Sequence, residues 1–366
     1  MSAIQSADVL VVGLGPGGGS AARVLAEKGL KVFAIEKKAE IGYPVQCAEF
    51  IPLPMGSYAR DEDVRAQSIV GMKSFLPSGN ETPTDFPGLM INRGEFDAAI
   101  VRRAVEAGAN VMTRTRLLKL DPRSQVAVIE RNGEQMRLHY GMLVAADGPH
   151  SQVAKQLGLP ELETVNTRQY TVPLLKPYVD TDIWLSDDYP GGYAWLFPKG
   201  EVANIGLGAD KAFETDLKQP LDRLHQQLIR QGLVGEEILY RTGGSIPVGG
   251  MRENLVHRGC VFVGDAAGLT HPITGAGISA AVMSGEAAGD AIAAYIAGEV
   301  DALADYDEQM RDQFEISLQR AVAKRQWLKQ IWRTEAAGQD DVMRHGWIAF
   351  DEYFEQNSGH SPAFDC

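Results

Sequence analysis

Residues 8–36, DVLVVGLGPGGGSAARVLAEKGLKVFAIE, limit what this chain can fold into more than any other stretch. The apolar run Val9–Val12 reads as a buried strand and enters the turn Gly13-Leu14-Gly15-Pro16-Gly17-Gly18. A helix of small residues follows from Ser20 to about Glu27. Gly29 stops it, and residues 31–35 read as a second buried strand ending in Glu36. Strand, glycine-rich turn, helix, strand and acid form the fingerprint of a dinucleotide-binding βαβ unit. Gly13 permits the tight turn, Gly15 lets the backbone approach a pyrophosphate, and Gly18 lets the helix pack close to the strand. The helix N-terminus offers N–H donors and a positive dipole end to phosphate. Glu36 would accept hydrogen bonds from a ribose hydroxyl, and Gly17 and Lys37 complete the candidate set at this end.

The 366 residues suffice for two or three lobes around this unit. A net charge of −13 argues against nucleic acid or an anionic membrane as a partner. No apolar run reaches the ~18–20 residues of a membrane span. The first strand begins too early to leave room for a signal peptide, so a cytoplasmic protein is expected. Cys47, Cys260 and Cys366 make neither a disulfide framework nor a metal cluster, and no metal is expected.

Beyond Glu36, the loop KKAEIGYPVQCAEFIPLPMG is long and irregular, as segments that line sites tend to be. Residues 57–90 are ambiguous. Arg93, assigned to the cofactor site, opens a helix to about Ala107. Arg131-Asn132-Gly133-Glu134 joins two alternating runs and predicts a β-hairpin. Residues 143–146 form a buried strand that delivers Asp147 and Gly148 to a turn. Strand-like alternation from about residue 165 to 209 predicts a mostly antiparallel sheet in a second lobe, and residues 215–232 an amphipathic helix. Residues 261–263 are again a buried strand, ending in Gly264-Asp265, and Pro272, Gly275, Ala276 and Gly277 lead into a small-residue helix from Ile278. A last helix spans about 303–332, and the final 30 residues or so carry little signal.

The three stretches together choose a cofactor. A carboxylate such as Asp265 at a strand end can hold a ribityl hydroxyl. The Gly275-Ala276-Gly277 turn admits a flat ring, and the helix from Ile278 aims its positive end at the ring edge that turns anionic on reduction. The order GLGPGGG, ADGPHS, GDAAGLTHPITGAGI resembles the FAD-binding domain of p-hydroxybenzoate hydroxylase-like flavoproteins from Asp8 to about Tyr306. The usual arginine after the second motif is replaced by Ala154-Lys155. The resemblance implies FAD and an α/β fold: a Rossmann-like FAD-binding domain, an inserted mostly antiparallel β-sheet substrate domain, and C-terminal helices. The expected division is 1–75, 90–164 and 250–300 for FAD, 76–89 and 165–249 for substrate, and 301–366 for the helical end.

PGGYAWLFP at 190–198, then Gly206-Leu207-Gly208, and PVQCAE at 44–49 are similar to signatures of the geranylgeranyl reductase family. In that family the cysteine loop lies near the flavin; carried over, Tyr193, Trp195 and Phe197 would line the substrate cavity and Cys47 would face that cavity. Alternation puts the three aromatics on one face under any reading, ordinary sheet packing included. The phrases QCAEFIPLP and GDAAGLTHPITGAGI look closest to the accessory flavoproteins of tryptophyl-quinone amino-acid oxidases. That resemblance implies a monooxygenase that uses molecular oxygen, with NAD(P)H as a candidate reductant, to hydroxylate a tryptophan of a precursor oxidase, with Cys47, Tyr193 and Trp195 at the reacting end. The alternatives are a prenyl double-bond reductase, a halogenase whose WxWxIP signature residues 193–198 match loosely, and a non-catalytic flavoprotein scaffold.

Overall fold

The computed structural model describes residues 5–214, 216–332 and 334–355, with the backbone alone for Glu335. Cys366 and the end of the expected 301–366 segment lie outside the described residues. Strand β1 (Gln5–Val12), helix α1 (Pro16–Glu27) and β2 (Val32–Ile35) open the chain. Next come β3 (Phe50–Pro52), β4 (Arg65–Phe75), β5 (Glu81–Ile91), α2 (Arg93–Glu106), β6 (Asn110–Met112), β7 (Thr115–Asp121), β8 (Val126–Arg131) and β9 (Glu134–Ala145). The short α3 (Gln152–Gln156) leads to β10 (Thr164–Pro173), β11 (Asp180–Trp184), β12 (Ala194–Lys199), β13 (Val202–Asp210) and α4 (Lys218–Arg230). β14 (Tyr240–Thr242), β15 (Ser245–Pro247), β16 (Val256–His257), β17 (Cys260–Phe262), α5 (Gly264–Ala267), α6 (Ile278–Ile296), α7 (Ala302–Ile331) and α8 (Asp340–Gly346) follow.

The first sheet runs β16-β17-β9-β1-β2-β6, with the β7–β8 arm paired to β9. Its centre is parallel: β17, β9, β1, β2 and β6 all run the same way. That is why Val9, Leu10 and Val11 are buried without alternation, since a parallel sheet is covered on both faces. The small residues of α1 and α6 let the two helices nearly touch. A Cβ on Gly285 would stand 2.2 Å from Gly17 O, and one on Gly289 would stand 2.8 Å from Val24 Cβ. The β8–β9 hairpin has the expected turn, with φ of +53° at Asn132 and +85° at Gly133.

The second sheet is nine-stranded, in order β14-β10-β13-β12-β11-β4-β5-β3, with β15 also on β10. It is mostly antiparallel, β11–β4 being a parallel pair. Its membership differs from the expected division, because β3 and β4 lie within residues assigned to the cofactor lobe. The signal there was weak for a physical reason: β5, the partner of both, carries Pro83 and Pro87, which argue against a strand in a sequence.

Alternation along β12 separates two cores. Ala194 and Leu196 pack with Leu221, Leu224 and Leu228 of α4. Trp195 packs on the other face with Ile183, Trp332, Met343, Trp347 and Phe350, so the C-terminal segment covers that face. Arg325 of α7 is 5% exposed and fastens the helix there, donating to Gly191 O at 2.6 Å and Asp210 Oδ2 at 2.7 Å. No helix among the described residues is long and apolar enough to cross a membrane.

The close helix crossing predicts that Gly285→Ala, which drives a methyl into Gly17 O, lowers stability by about 1–3 kcal/mol in denaturant unfolding. A loss below about 0.5 kcal/mol would show that α1 and α6 can part freely.

Candidate active site

Register assembles the site. Val12 lies beside Ala145, and Ala145 beside Phe262, so β1, β9 and β17 end at one level. The turns they feed, at Gly13, Asp147 and Gly264, therefore converge at the carboxyl edge of the sheet, where open α/β sheets hold their ligands. Gly13 has φ of +95°, and a Cβ there would be 2.4 Å from Ala146 O. A Cβ on Gly18 would be 1.9 Å from Gly13 O. Gly17 has Ala281 O and Val263 Cγ2 each at 3.1 Å from its Cβ position. These three are glycine for the protein's own packing. Gly15 is different: its Cβ position has no protein atom within 4 Å, so it opens onto space. Neither α1, capped by Gly15, nor α6, capped by Gly277, has a side-chain cap, which leaves their first N–H groups available to a ligand.

Glu36 binds its own turn. Oε2 accepts from Leu14 N–H at 3.0 Å and Oε1 from Lys38 N–H at 2.9 Å. Lys37 is exposed beside it. Asp147 has a local duty the sequence did not reveal: Oδ2 accepts from the N–H of Gln152 at 2.7 Å and Val153 at 3.1 Å, capping α3. Its Oδ1 is buried without a protein partner, and Gly148 turns the chain at φ of +82°. Gly264 donates its N–H to Ser284 Oγ at 3.0 Å. Asp265 Oδ1 accepts from Thr270 Oγ1 at 2.5 Å, and a Cβ on Gly277 would press on that pair. Burial pushes the Asp265 carboxyl above its usual range, while Thr270 and Arg93 pull it down. His271 closes the turn through N–H to Ala276 O at 3.0 Å. Burial drives its imidazole down to about 4, so it is neutral, and its Nε2 is buried without a partner. Pro272 is buried, Gly275 has φ of +70°, and Ile278 starts α6.

The loop 44–49 is clamped to the second sheet. Thr242 Oγ1 donates to Val45 O at 2.8 Å, Gln46 Nε2 to Gly243 O at 2.7 Å, and Gln169 Nε2 to Cys47 O at 3.0 Å. Trp195 Nε1 donates to the same Gln169 at 3.2 Å, so Trp195 is linked to Cys47 through one amide. Burial pushes the Cys47 thiol up, and the Arg93 guanidinium opposes it. Burial also works against the Arg93 charge, but Asp97, 2.7 Å from Nε, and Cys47 together more than offset it. Tyr193 OH donates to Thr274 O at 2.5 Å, which ties the aromatic wall to the turn before α6. Its ring lies 5.7 Å from Trp195 and 4.8 Å from Trp347.

Cys47, Arg93, Tyr193, Trp195 and Asp265 are thus gathered around one place, while Lys37 stands apart on the surface. Sequence reasoning did not single out Gln169 or Trp347. Gln169 sits among strand residues whose side-chain partners alternation cannot name, and Trp347 lies in the stretch that carried little signal. A surface hollow of about 550 Å³ lined by Gln5, Lys31, Asn110 and Arg131 lies at the opposite end of the parallel strands, away from this chemistry. Among the described residues no group of three or more His, Cys, Asp or Glu is placed to hold a metal.

The residues suit a dinucleotide with a flat ring: two uncapped helix N-termini, an open approach at Gly15, and unpartnered buried atoms on Asp147 and His271. Gly15→Ala separates ligand from packing. It is expected to leave the stability of the FAD-free protein within about 0.5 kcal/mol of wild type. It should weaken FAD binding by about tenfold or more in a flavin fluorescence titration. Unchanged affinity would place the pyrophosphate elsewhere.

Comparison with known proteins narrows the reading. A family model described as an FAD binding domain matches residues 87–321. A digeranylgeranylglycerophospholipid reductase of Methanocella arvoryzae is 37% identical over 340 residues, covering 86% of this chain and 85% of the relative. The solved geranylgeranyl bacteriochlorophyll reductase-like protein of Thermoplasma acidophilum has a TM-score of 0.85 at 28% identity, covering 95% of this chain and 93% of its own. A solved flavin-dependent brominase has a TM-score of 0.71 at 18% identity, covering 94% and 96%, a likeness of fold alone. The expectation of a monooxygenase hydroxylating a partner's tryptophan is overturned, since close relatives over the whole fold are named reductases. The phrases that suggested it lie in the loop 44–54 and in the turn between β17 and α6. The chain is an FAD-dependent oxidoreductase and belongs to the geranylgeranyl reductase-like family of flavoproteins.

Proposed function

We propose that the protein reduces isolated carbon–carbon double bonds in the prenyl chains of a polyprenyl lipid. The observation that carries this is the 37% identity, over 85% of its length, to a digeranylgeranylglycerophospholipid reductase. The site's chemistry agrees with it. Such an alkene has no polar handle, so shape and apolar contact must hold it. The face of the second sheet beside the Cys47 loop is apolar and aromatic, built from Tyr193, Trp195 and Phe197, with Trp347 of the C-terminal segment packed on it.

Gly13, Gly15, Gly17, Gly18 and Glu36 are assigned to the adenosine and pyrophosphate end, with Asp147 and Gly148 at the second turn. Arg93, Gly264, Asp265 and the turn 272–278 are assigned to the flavin end. The parallel sheet with α1, α2 and α6 forms the cofactor part, and the second sheet forms the substrate part. Reduced FAD, when bound, supplies a hydride. Addition of that hydride to one alkene carbon requires a proton at the other, and Cys47 is assigned as its source. Burial keeps the thiol protonated near neutral pH, as a proton donor needs. Tyr193 is the less apt donor because its proton is already committed to Thr274 O. Its role is to hold the wall against the flavin turn. The aromatic cover keeps water from the reacting carbons. The electrons reach FAD from a diffusing carrier, with NAD(P)H the candidate.

The test is anaerobic turnover of the dithionite-reduced, FAD-loaded protein. One arm carries a geranylgeranylated glycerophospholipid and another geranylgeranyl diphosphate. Products heavier by one pair of hydrogens per reduced bond are expected from at least one arm, and the arm that reacts identifies the headgroup. Cys47→Ala should keep the flavin spectrum and lose about 10²- to 10⁴-fold in rate. Unchanged lipid masses in both arms, with the flavin fully reduced, would overturn the reading.

A further inference from the structure

Glu49 ends the PVQCAE motif, and neither the flavin cradle nor the apolar wall accounts for it. Its carboxylate is 4% exposed and accepts hydrogen bonds from three separate elements. Oε1 accepts from Arg93 N–H, the first residue of α2, at 2.9 Å. Oε2 accepts from Lys199 Nζ, at the end of β12, at 2.7 Å and from Asn204 Nδ2, on β13, at 2.9 Å. Asn204 is 1% exposed, and its Oδ1 accepts from Thr171 Oγ1 of β10 at 2.8 Å. The Glu49 N–H donates to Cys47 Sγ at 3.2 Å, and the Glu49 carbonyl accepts from Ile91 N–H at 2.9 Å. The backbone here has φ of +73°, a conformation uncommon for a residue with a side chain and kept where the surroundings impose it. Asn92, the N-cap of α2, makes no side-chain cap bond, so Glu49 supplies both an acceptor and a negative charge to that helix end.

Two parts of the molecule meet at this one side chain. Arg93 and Cys47 belong beside the cofactor, while Lys199, Asn204 and Thr171 belong to the sheet that carries the aromatic wall. A buried ion pair adds little net stability over an apolar pair of the same shape. Register between the two parts explains the arrangement better than stability does.

We propose that Glu49 is a positioning residue for the reaction, fixing Cys47 and Arg93 in place against β12 and β13. Its effect on turnover rests on the reductase reading above, whereas its effect on Cys47 does not. With Glu49 removed as a carboxylate, the loop 44–49 keeps its bonds to Thr242, Gly243 and Gln169 but loses the charged tie that joins it to α2, β12 and β13 together, and the thiol is no longer held at one distance from the wall.

The experiment uses the FAD-loaded full chain in a Cys366→Ser background, with Glu49→Gln and the charge-balanced double variant Glu49→Gln/Lys199→Met. Three quantities are read at a temperature where each variant is folded: the thermal midpoint, the rate of Cys47 alkylation by iodoacetamide against pH, and kcat and KM with the prenyl lipid. Glu49→Gln is expected to raise Cys47 alkylation several-fold and to lower kcat by about 10- to 100-fold while KM stays within about twofold. The double variant should recover the thermal midpoint without recovering kcat or the slow alkylation. A double variant that regains wild-type alkylation and kcat would show that Glu49 serves stability only, and unchanged alkylation in Glu49→Gln would overturn the proposal outright. If no lipid turns over even in wild type, the reductase reading fails, and the alkylation profile still decides the role of Glu49.

Discussion

Val12, Ala145 and Phe262 stand side by side at the ends of three parallel strands, and the rest of the site depends on that register. Hydrogen bonding in a parallel sheet sets the strand ends at one level, so three turns far apart in the chain face one volume. The first turn is then shaped by contacts that tolerate no side chain, at Gly13 and Gly18. The α1–α6 crossing supports the same edge from behind, because both helices are made of residues small enough to let Gly285 rest on Gly17. A slip of one residue in β9 or β17 would carry Asp147 or Gly264 away from the cradle.

The second sheet carries the aromatic wall. Its two faces are distinct, one closed by α4 and the other lined by aromatics and covered by the C-terminal segment. The loop 44–49 ties the two sheets together: it follows β2 of the first sheet and is bonded to β10, β13, Gly243 and Lys199 of the second. A flavin-dependent brominase and a reductase-like protein share this fold, at 18% and 28% identity, so the fold alone does not choose an activity.

The sequence made the cofactor half legible because its signals are local. Glycines at fixed spacing, a strand before them and a small-residue helix after them can each be read within ten residues or so. The Asn132-Gly133 hairpin was legible for the same reason. The second sheet was harder. β4 and β5 hide behind Pro83 and Pro87, and Trp347 reaches Tyr193 from more than a hundred residues away. Asp147 was legible as a strand-end acid but not as the cap of α3, since one aspartate can serve either duty. Glu49 lies inside PVQCAE, yet its partners Lys199 and Asn204 are ones no spacing rule predicts. The substrate was not legible for a related reason: the motifs 44–49 and 264–278 are local phrases, and the aromatic face is assembled from residues far apart in the chain.

The central claim is that electrons stored on the bound flavin go to a prenyl carbon rather than to oxygen. The most direct measurement is anaerobic rapid mixing of pre-reduced holoenzyme with geranylgeranyl lipid while the visible absorption of oxidised flavin is followed. The account predicts that the oxidised band returns on mixing, in the absence of oxygen, with one flavin reoxidised for each double bond lost. A flavin that stays reduced with lipid present and reoxidises when oxygen is admitted would contradict it.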